Sequence, residues 1–219
     1  SVITRLPPIK RVSIKRLRLG IKTDCTPLLT PCTLRLVRGS HVLVTGVSGA
    51  GKSTLLRALA GIWPYGKGTI ALPQGAKRLF LPQRPYLVLG SLRRALSYPR
   101  TAAASDAEIA RILNLVGMDH FAARLDDVDD WSRILSLGEQ QRLAFARILL
   151  IRPDWIFLDE ATSALDEARE HVLYQLLYQE LPTASIISVG HRSTLFALHD
   201  VELHLSNQTY SYQEIPHES

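Results

Sequence analysis

The chain has 219 residues, 46% of them hydrophobic, which is enough apolar material to bury one good core and points to one compact domain rather than two. Its longest stretch without Asp, Glu, Lys or Arg runs from Gly39 to Gly51, thirteen residues that turn polar in their second half, so no segment spans a bilayer; Arg5, Lys10 and Arg11 break up the first apolar residues where a signal peptide needs an unbroken run. The net charge of +6 is local: seven of the 26 bases lie in residues 1–22, which hold no acid, leaving nineteen bases against twenty acids in a neutral body.

In chain order, "RVSIKRLRLGI" alternates and predicts a strand over 12–21. Its bases suit the solvent face of an edge strand, or equally anionic lipid headgroups. Nucleic acid fits less well, because no aromatic residue lies among them to stack on a base. Cys25 and Cys32 have neither C-x-x-C spacing nor a matching His pair and are expected as reduced, buried thiols. Apolar runs predict further strands over 41–45, 69–71, 79–81, 155–158, 185–189 and 201–205. Helices are predicted after Lys52, after Ser91, and over 106–116, 139–151 and 167–180, with capping-box spacing at Ser105/Glu108 and Ser136/Glu139. Strand-rich ends around a helix-rich middle give an α/β core over about 10–88 and 150–219, interrupted by a helical subdomain over about 89–149.

The chemistry begins at "GVSGAGKST", residues 46–54. The spacing G-x-x-x-x-G-K-[ST] turns successive backbone N–H groups inward around a di- or triphosphate. Gly46, Gly49 and Gly51 allow close approach or positive φ, Lys52 neutralises the β- and γ-phosphates, and Ser53 ligates Mg²⁺. The bland alternative, a glycine turn with no ligand, is weakened by the strand before the loop and the helix after it. A phosphate loop alone serves kinases, GTPases and motors alike, so other residues must decide.

"DWIFLDE" is an apolar strand ending in Asp159 and Glu160, which strand alternation would send to opposite sides. Asp159 is then placed to hold Mg²⁺, and Glu160 to accept a proton from an attacking water; the competing interpretation makes both acids caps for the next helix. "ILSLGEQQRLAFAR" places Ser136 as N-cap, Gly138 just inside and Glu139 at N3, a second helix start with N–H donors for an anion. One nucleotide rarely needs two such ends, but two copies packed head to tail would let one copy's second end close over the γ-phosphate held by the other.

"GVSGAGKST", "LPQRPY", "LSLGEQQR", "DWIFLDEATSALD" and "SVGHR" resemble, in this order, the Walker A, Q-loop, signature, Walker B with D-loop, and H-loop motifs of ABC-transporter nucleotide-binding domains, over about residues 10–205. The resemblance implies an α/β P-loop NTPase core of RecA-like type, with an N-terminal antiparallel β-subdomain and an inserted α-helical subdomain. It implies ATP and Mg²⁺ as ligands, with Gly46, Val47, Ser48, Gly49, Ala50, Gly51, Lys52, Ser53 and Thr54 around the phosphates. Ser53, Gln83 and Asp159 look like the metal-side residues, Gln83 also coupling to a membrane domain. Glu160, His191, Lys52 and Gln83 resemble the catalytic set, and Ser136, Gly138, Glu139 and Asp166 the residues offered across a dimer. Without the resemblance Gln83 would be an ordinary loop amide and His191 a satisfied core histidine.

"GIWPYGKGTI", "FLPQRPYLVLGSLRRALSYP" and "LSLGEQQR" look like fused half-transporters of the peroxisomal fatty-acyl (adrenoleukodystrophy-protein) type and especially their bacterial relatives, a group that includes vitamin B12 and antimicrobial-peptide transporters. The resemblance therefore implies a second nucleotide-binding domain, a transmembrane domain upstream of Ser1 on the same chain or on a partner, and a place on the cytoplasmic face of a membrane, the bacterial inner membrane by the subfamily likeness. The alternative is a soluble ABC ATPase acting on nucleic acid or the ribosome, disfavoured by the absence of a second such domain or a coiled-coil insertion. A module that binds nucleotide without cleaving it is disfavoured by the presence of both Glu160 and His191. Two departures stand out. Leu137 and Glu139 replace a glycine and a glutamine of the signature, changes that can weaken binding across the dimer; and no aromatic residue precedes Trp63, so adenine is expected to rest on aliphatic or proline surface near "GIKTDCTP".

Overall fold

The computed structural model describes residues 3–5, 11–19, 32–98, 104–206 and 209–216. The segment expected to face adenine and Cys25 lie outside the described residues, and Cys32 is described only as the start of a strand. The chain divides into two compact units: the first holds residues 1–80, 154–159 and 183–219, the second 81–153 and 160–182. The second unit thus runs beyond the 89–149 span expected from sequence and takes in a later helix as well.

The first unit carries two sheets. Strands β1 (Ile3–Arg5), β2 (Arg11–Leu19), β3 (Cys32–Val37) and β5 (Gly66–Leu72) form a four-stranded sheet in the order β1-β5-β2-β3. It is antiparallel except for the β1–β5 pair. Because β2 is bonded on both sides, the expected edge strand is an inner one. Its alternation also breaks: Ile14 and Leu17, three residues apart, are both buried, because the chain bulges at Arg16, where φ is 48° and the register shifts against both neighbours. The exposed Lys15 and Arg16 lie in this bulge.

The second sheet has six strands. It is built from β4 (His41–Gly46), β6 (Arg78–Leu81), β9 (Trp155–Asp159), β10 (Ser185–Val189), β11 (Val201–Ser206) and β12 (Thr209–Glu214), in the order β12-β11-β4-β10-β9-β6. The neighbours β9, β10, β4 and β11 run parallel, and β9 and β10 are buried at every residue, which explains their unbroken apolar sequences. Helix α1 (Lys52–Ala60) connects β4 to the small sheet. Its Leu55, Leu56 and Leu59 join Ile14 and Leu36 from the small sheet and Val44 and Phe157 from the large one in a continuous core. Each such side chain contributes about 1.5–3 kcal/mol by leaving water.

The second unit holds a short pair β7 (Gly90–Ser91) and β8 (Val128–Asp129) and helices α2 (Leu92–Ser97), α3 (Asp106–Leu115), α4 (Trp131–Ile134), α5 (Leu137–Ile151) and α6 (Glu167–Glu180). Ser105 caps α3 by accepting from the Glu108 N–H. Helix α5 is apolar on most sides and almost wholly buried. Its Phe145 meets Tyr174 of α6 edge to face, with centroids 6.2 Å apart, which is why α6 belongs to this unit. The Arg147 guanidinium, buried on α5, donates to the Ala95 and Tyr86 carbonyls, and burial pushes its pKa down to about 10. Among the described residues no helix is long and apolar enough to cross a membrane.

Candidate functional site

In the first unit, β4 delivers the chain to the glycine loop at Gly46, whose φ is 127°. Gly46 pairs with Leu205 of β11 so closely that a Cβ here would lie 2.0 Å from the Leu205 carbonyl oxygen, so the parallel strand pairing itself demands glycine. The loop ends at Gly51, which takes φ 90° as the N-cap of α1 and provides no side-chain cap. No acid occupies the first turn. The first N–H groups of α1 therefore combine with the positive end of the helix dipole and lack a side-chain acceptor at the cap, the arrangement that binds anions.

Lys52 opens the helix and is buried; its ammonium donates to the Gly46 carbonyl at 2.7 Å and the Val47 carbonyl at 3.0 Å. The cation is thus drawn back across the loop that Val47, Ser48, Gly49 and Ala50 form. Ser53 Oγ donates to Asp159 Oδ1 at 2.7 Å, and Thr54 follows on the same helical turn. Asp159 ends β9 and is only 5% exposed; its second oxygen lies 3.6 Å from the Arg57 guanidinium. Arg57 was not singled out from the sequence. The available signal was its position one helical turn after Ser53, on the same face of α1.

The Ser53 hydroxyl and Asp159 carboxylate are hard oxygen donors brought together beside a basic, N–H-rich loop, and they fit Mg²⁺, which uses one or two protein oxygens and completes its shell with phosphates and water. Among the described residues no group of three or more His, Cys, Asp or Glu is placed to hold a metal ion.

His191 is exposed, between β10 and the 3-10 segment Ser193–Leu198, so it is not a core histidine. His199 fills that description. Its ring nitrogens meet the Leu195 carbonyl at 2.7 Å and Ser188 Oγ at 2.8 Å, and burial lowers its pKa to about 4.

In the second unit, Gln83 is exposed and its backbone carbonyl accepts from Gln141 Nε2 at 2.8 Å. Glu160 corrects one step of the sequence argument. The strand stops at Asp159, and Glu160 sits beyond it with φ 52°, so a left-handed turn rather than strand alternation sets its direction. Asp166 is the N-cap of α6, accepting from the Arg169 N–H at 2.7 Å and pairing with the Arg169 guanidinium at 3.4 Å.

The start of α5 carries the full capping box. Ser136 Oγ accepts from the Glu139 N–H at 3.3 Å, and Glu139 Oε2 accepts from the Ser136 N–H at 2.9 Å and its hydroxyl at 2.7 Å. Partial burial pushes the Glu139 carboxyl upward, but these bonds and the nearby Arg142 and His120 outweigh it and hold it below the usual range. Leu137 is half-buried, and Gly138 is close-packed: a Cβ would lie 3.3 Å from the Leu165 side chain. The structure therefore gathers 46–54 with Asp159 in the first unit, and Gln83 with the turn after Glu160 in the second.

The family model described as ABC transporter matches residues 29–163. The chain is 50% identical over 182 residues, 83% of its length, to an uncharacterized ABC transporter ATP-binding protein of Haemophilus influenzae, of which it covers 31%. It is 37% identical over 208 residues, 88% of its length, to the human lysosomal cobalamin transporter ABCD4, of which it covers 34%. The chain thus spans about a third of the curated relatives it matches. A solved structure of a bacterial Atm1-family ABC exporter with ATP bound superimposes with a TM-score of 0.81 at 27% identity, covering 95% of this chain and 41% of the exporter chain. With the matched span running through the glycine loop and both carboxylates, the chain belongs to the ABC transporter family and has the fold of its ABC ATPase domain.

Proposed function

We propose that the chain is the ATP-binding and ATP-hydrolysing motor domain of an ABC transporter, which powers movement of a substrate across a membrane. The observation that carries this is the group formed by Lys52 over the glycine loop and Ser53 bonded to the buried Asp159, next to a helix start with no side-chain cap. A phosphate chain placed there meets N–H donors, an ammonium and a pair of metal-binding oxygens together. The Haemophilus relative carries the words ATP-binding in its name, and the structural neighbour holds ATP. Both bear transporter or exporter names, which favours transport over action on nucleic acid or the ribosome.

In this mechanism the loop amides and Lys52 orient the phosphates and spread the charge that develops on them. Ser53 and Asp159 would hold Mg²⁺, Gln83 being the further metal-side residue that the family resemblance implies, and the ion would neutralise charge on phosphate oxygens. Glu160 accepts a proton from the attacking water, and His191 contacts the γ-phosphate. Ser136, Gly138 and Glu139 of a second copy, with its Asp166, complete the site in a head-to-tail dimer. The membrane-spanning partner lies on the same or another chain, with this domain on the cytoplasmic face, in bacteria that of the inner membrane.

The test is Glu160→Gln. Phosphate release from Mg·ATP should fall by about 10²–10⁴-fold while ATP binding persists, and the variant should form an ATP-dependent dimer by light scattering. A variant that keeps wild-type turnover, or stays a monomer with ATP bound, would contradict the proposal.

A further inference from the structure

Gln141 lies on α5 with its side chain wholly buried, and its amide makes three hydrogen bonds inside the second unit. Nε2 donates to the Gln83 carbonyl at 2.8 Å and to Ser163 Oγ at 3.2 Å, while Oε1 accepts from the Ala164 N–H at 3.0 Å. Its partners fix the orientation. A backbone carbonyl only accepts and a backbone N–H only donates, so a flipped amide would set oxygen against oxygen and N–H against N–H.

Both bonded segments carry chemistry. Gln83 is held by its main chain, so its own side-chain amide is not consumed. On the other side, the Ser163 N–H donates to the Glu160 carbonyl at 3.1 Å and the Leu165 N–H to the Thr162 carbonyl at 3.0 Å, folding residues 160–165 into a compact turn that Gln141 grips at Ser163 and Ala164. Glu160 enters that turn at φ 52°, a conformation a non-glycine residue keeps only where its surroundings impose it. Deleting the amide would release a backbone carbonyl and a backbone N–H of two exposed segments to other partners, water included, so that nothing at this position would hold the two segments together.

We infer that Gln141 is a positioning residue for hydrolysis: it fastens the main chain at Gln83 to the turn that begins at Glu160, so that neither segment shifts without the other. The inference rests on the proposed ATPase function and adds to it a residue that touches neither nucleotide nor metal. The glycine loop belongs to the other unit and none of Gln141's three bonds reaches it, so nucleotide binding and turnover should separate.

Two variants test this, each checked for a cooperative thermal transition. Gln141→Leu removes all three bonds at similar volume; kcat and kcat/KM for ATP should fall together by about 100-fold, with ATP binding in the absence of Mg²⁺ unchanged. Gln141→Glu supplies a readout that loss of packing would not move. Ionised, the new carboxylate opposes the Gln83 carbonyl and has no proton to donate; protonated, it donates to that carbonyl and still accepts from the Ala164 N–H. Burial raises its pKa, so its activity relative to wild type should climb about tenfold as pH falls from about 8 to about 6, whereas the ratio for Gln141→Leu stays flat. Wild-type kcat in Gln141→Leu, or a pH-independent ratio in Gln141→Glu, overturns the inference while leaving the ATPase proposal intact. Should the Leu variant not fold, the Glu variant's pH ratio decides alone. A wild-type chain that binds ATP and releases no phosphate overturns the ATPase proposal and this inference with it.

Discussion

Helices α1 and α5 both begin at a sequence that invites an anion, yet the two starts are finished differently. At α1 the N-cap is Gly51, with no side-chain acceptor and no acid in the first turn; the Lys52 ammonium lies over the loop, and the Asp159 carboxylate beside the helix start is engaged by the Ser53 hydroxyl. At α5 the N-cap serine is already engaged: Ser136 and Glu139 bond each other through both backbone and side chain. A phosphate arriving at α1 finds donors and positive charge. One arriving at α5 must share the Ser136 hydroxyl with Glu139 and approach a carboxylate held in its charged form. The same local motif, a helix N-terminus, is thus open to an anion in one place and self-satisfied in the other.

The largest break in this contrast should come from Lys52→Ala. Losing the ammonium ought to lower kcat/KM for ATP by about 10²–10³-fold, read by steady-state phosphate release, and an unchanged value would remove α1 from its privileged position. Next in size is Gly46→Ala. Its Cβ would meet the Leu205 carbonyl in a backbone region closed to L-residues, so the strand pair must part. A loss of about 3 kcal/mol or more is expected in urea unfolding, and a variant as stable as wild type would refute the steric argument. The smallest effect belongs to α5. Glu139→Ala removes half of the capping box and should cost ~1 kcal/mol, lowering Tm by about 2–4 °C at pH 7. Because the folded carboxyl titrates below its unfolded value, that contribution is complete above about pH 4.3 and is lost as pH falls through the folded value. Wild type and variant should therefore converge in acid; a gap that persists at pH 2 would mean Glu139 stabilises α5 by something other than charge.

How far the sequence reaches follows the same division between local and non-local causes. The glycine loop, its feeding strand, the buried strands β9 and β10 and the Ser136–Glu139 capping box are all legible, because each depends on residues within a few positions of one another. Strand β3 gives only a short signal: Leu34 and Leu36 are buried and Thr33 and Arg35 exposed, an alternation of four residues. Strand β12 gives almost no signal. It is mostly exposed, and its main anchor to distant chain is Tyr210, whose hydroxyl donates to the Thr33 carbonyl at 2.9 Å. Whether β2 lies inside a sheet or at its edge depends on partners far along the chain, and its bulge at Arg16 is invisible to a period-two pattern. At the candidate site the sequence names Glu160 but cannot give its direction, since strand alternation ends one residue earlier. Gln141 looks like one more polar residue among "GEQQR" until its three partners, each from a distant segment, are in view.

The central claim, that a single chain receives the nucleotide's phosphates at α1 and not at α5, is tested most directly by following backbone amide resonances while Mg·ATP is added to the Glu160→Gln variant, at a dilution below the concentration at which that variant forms its ATP-dependent dimer by light scattering. The amides of residues 49–54 should shift and saturate together, with those of 137–140 unmoved until the dimer forms. Saturable shifts at 137–140 in the monomer, with 49–54 silent, would contradict it.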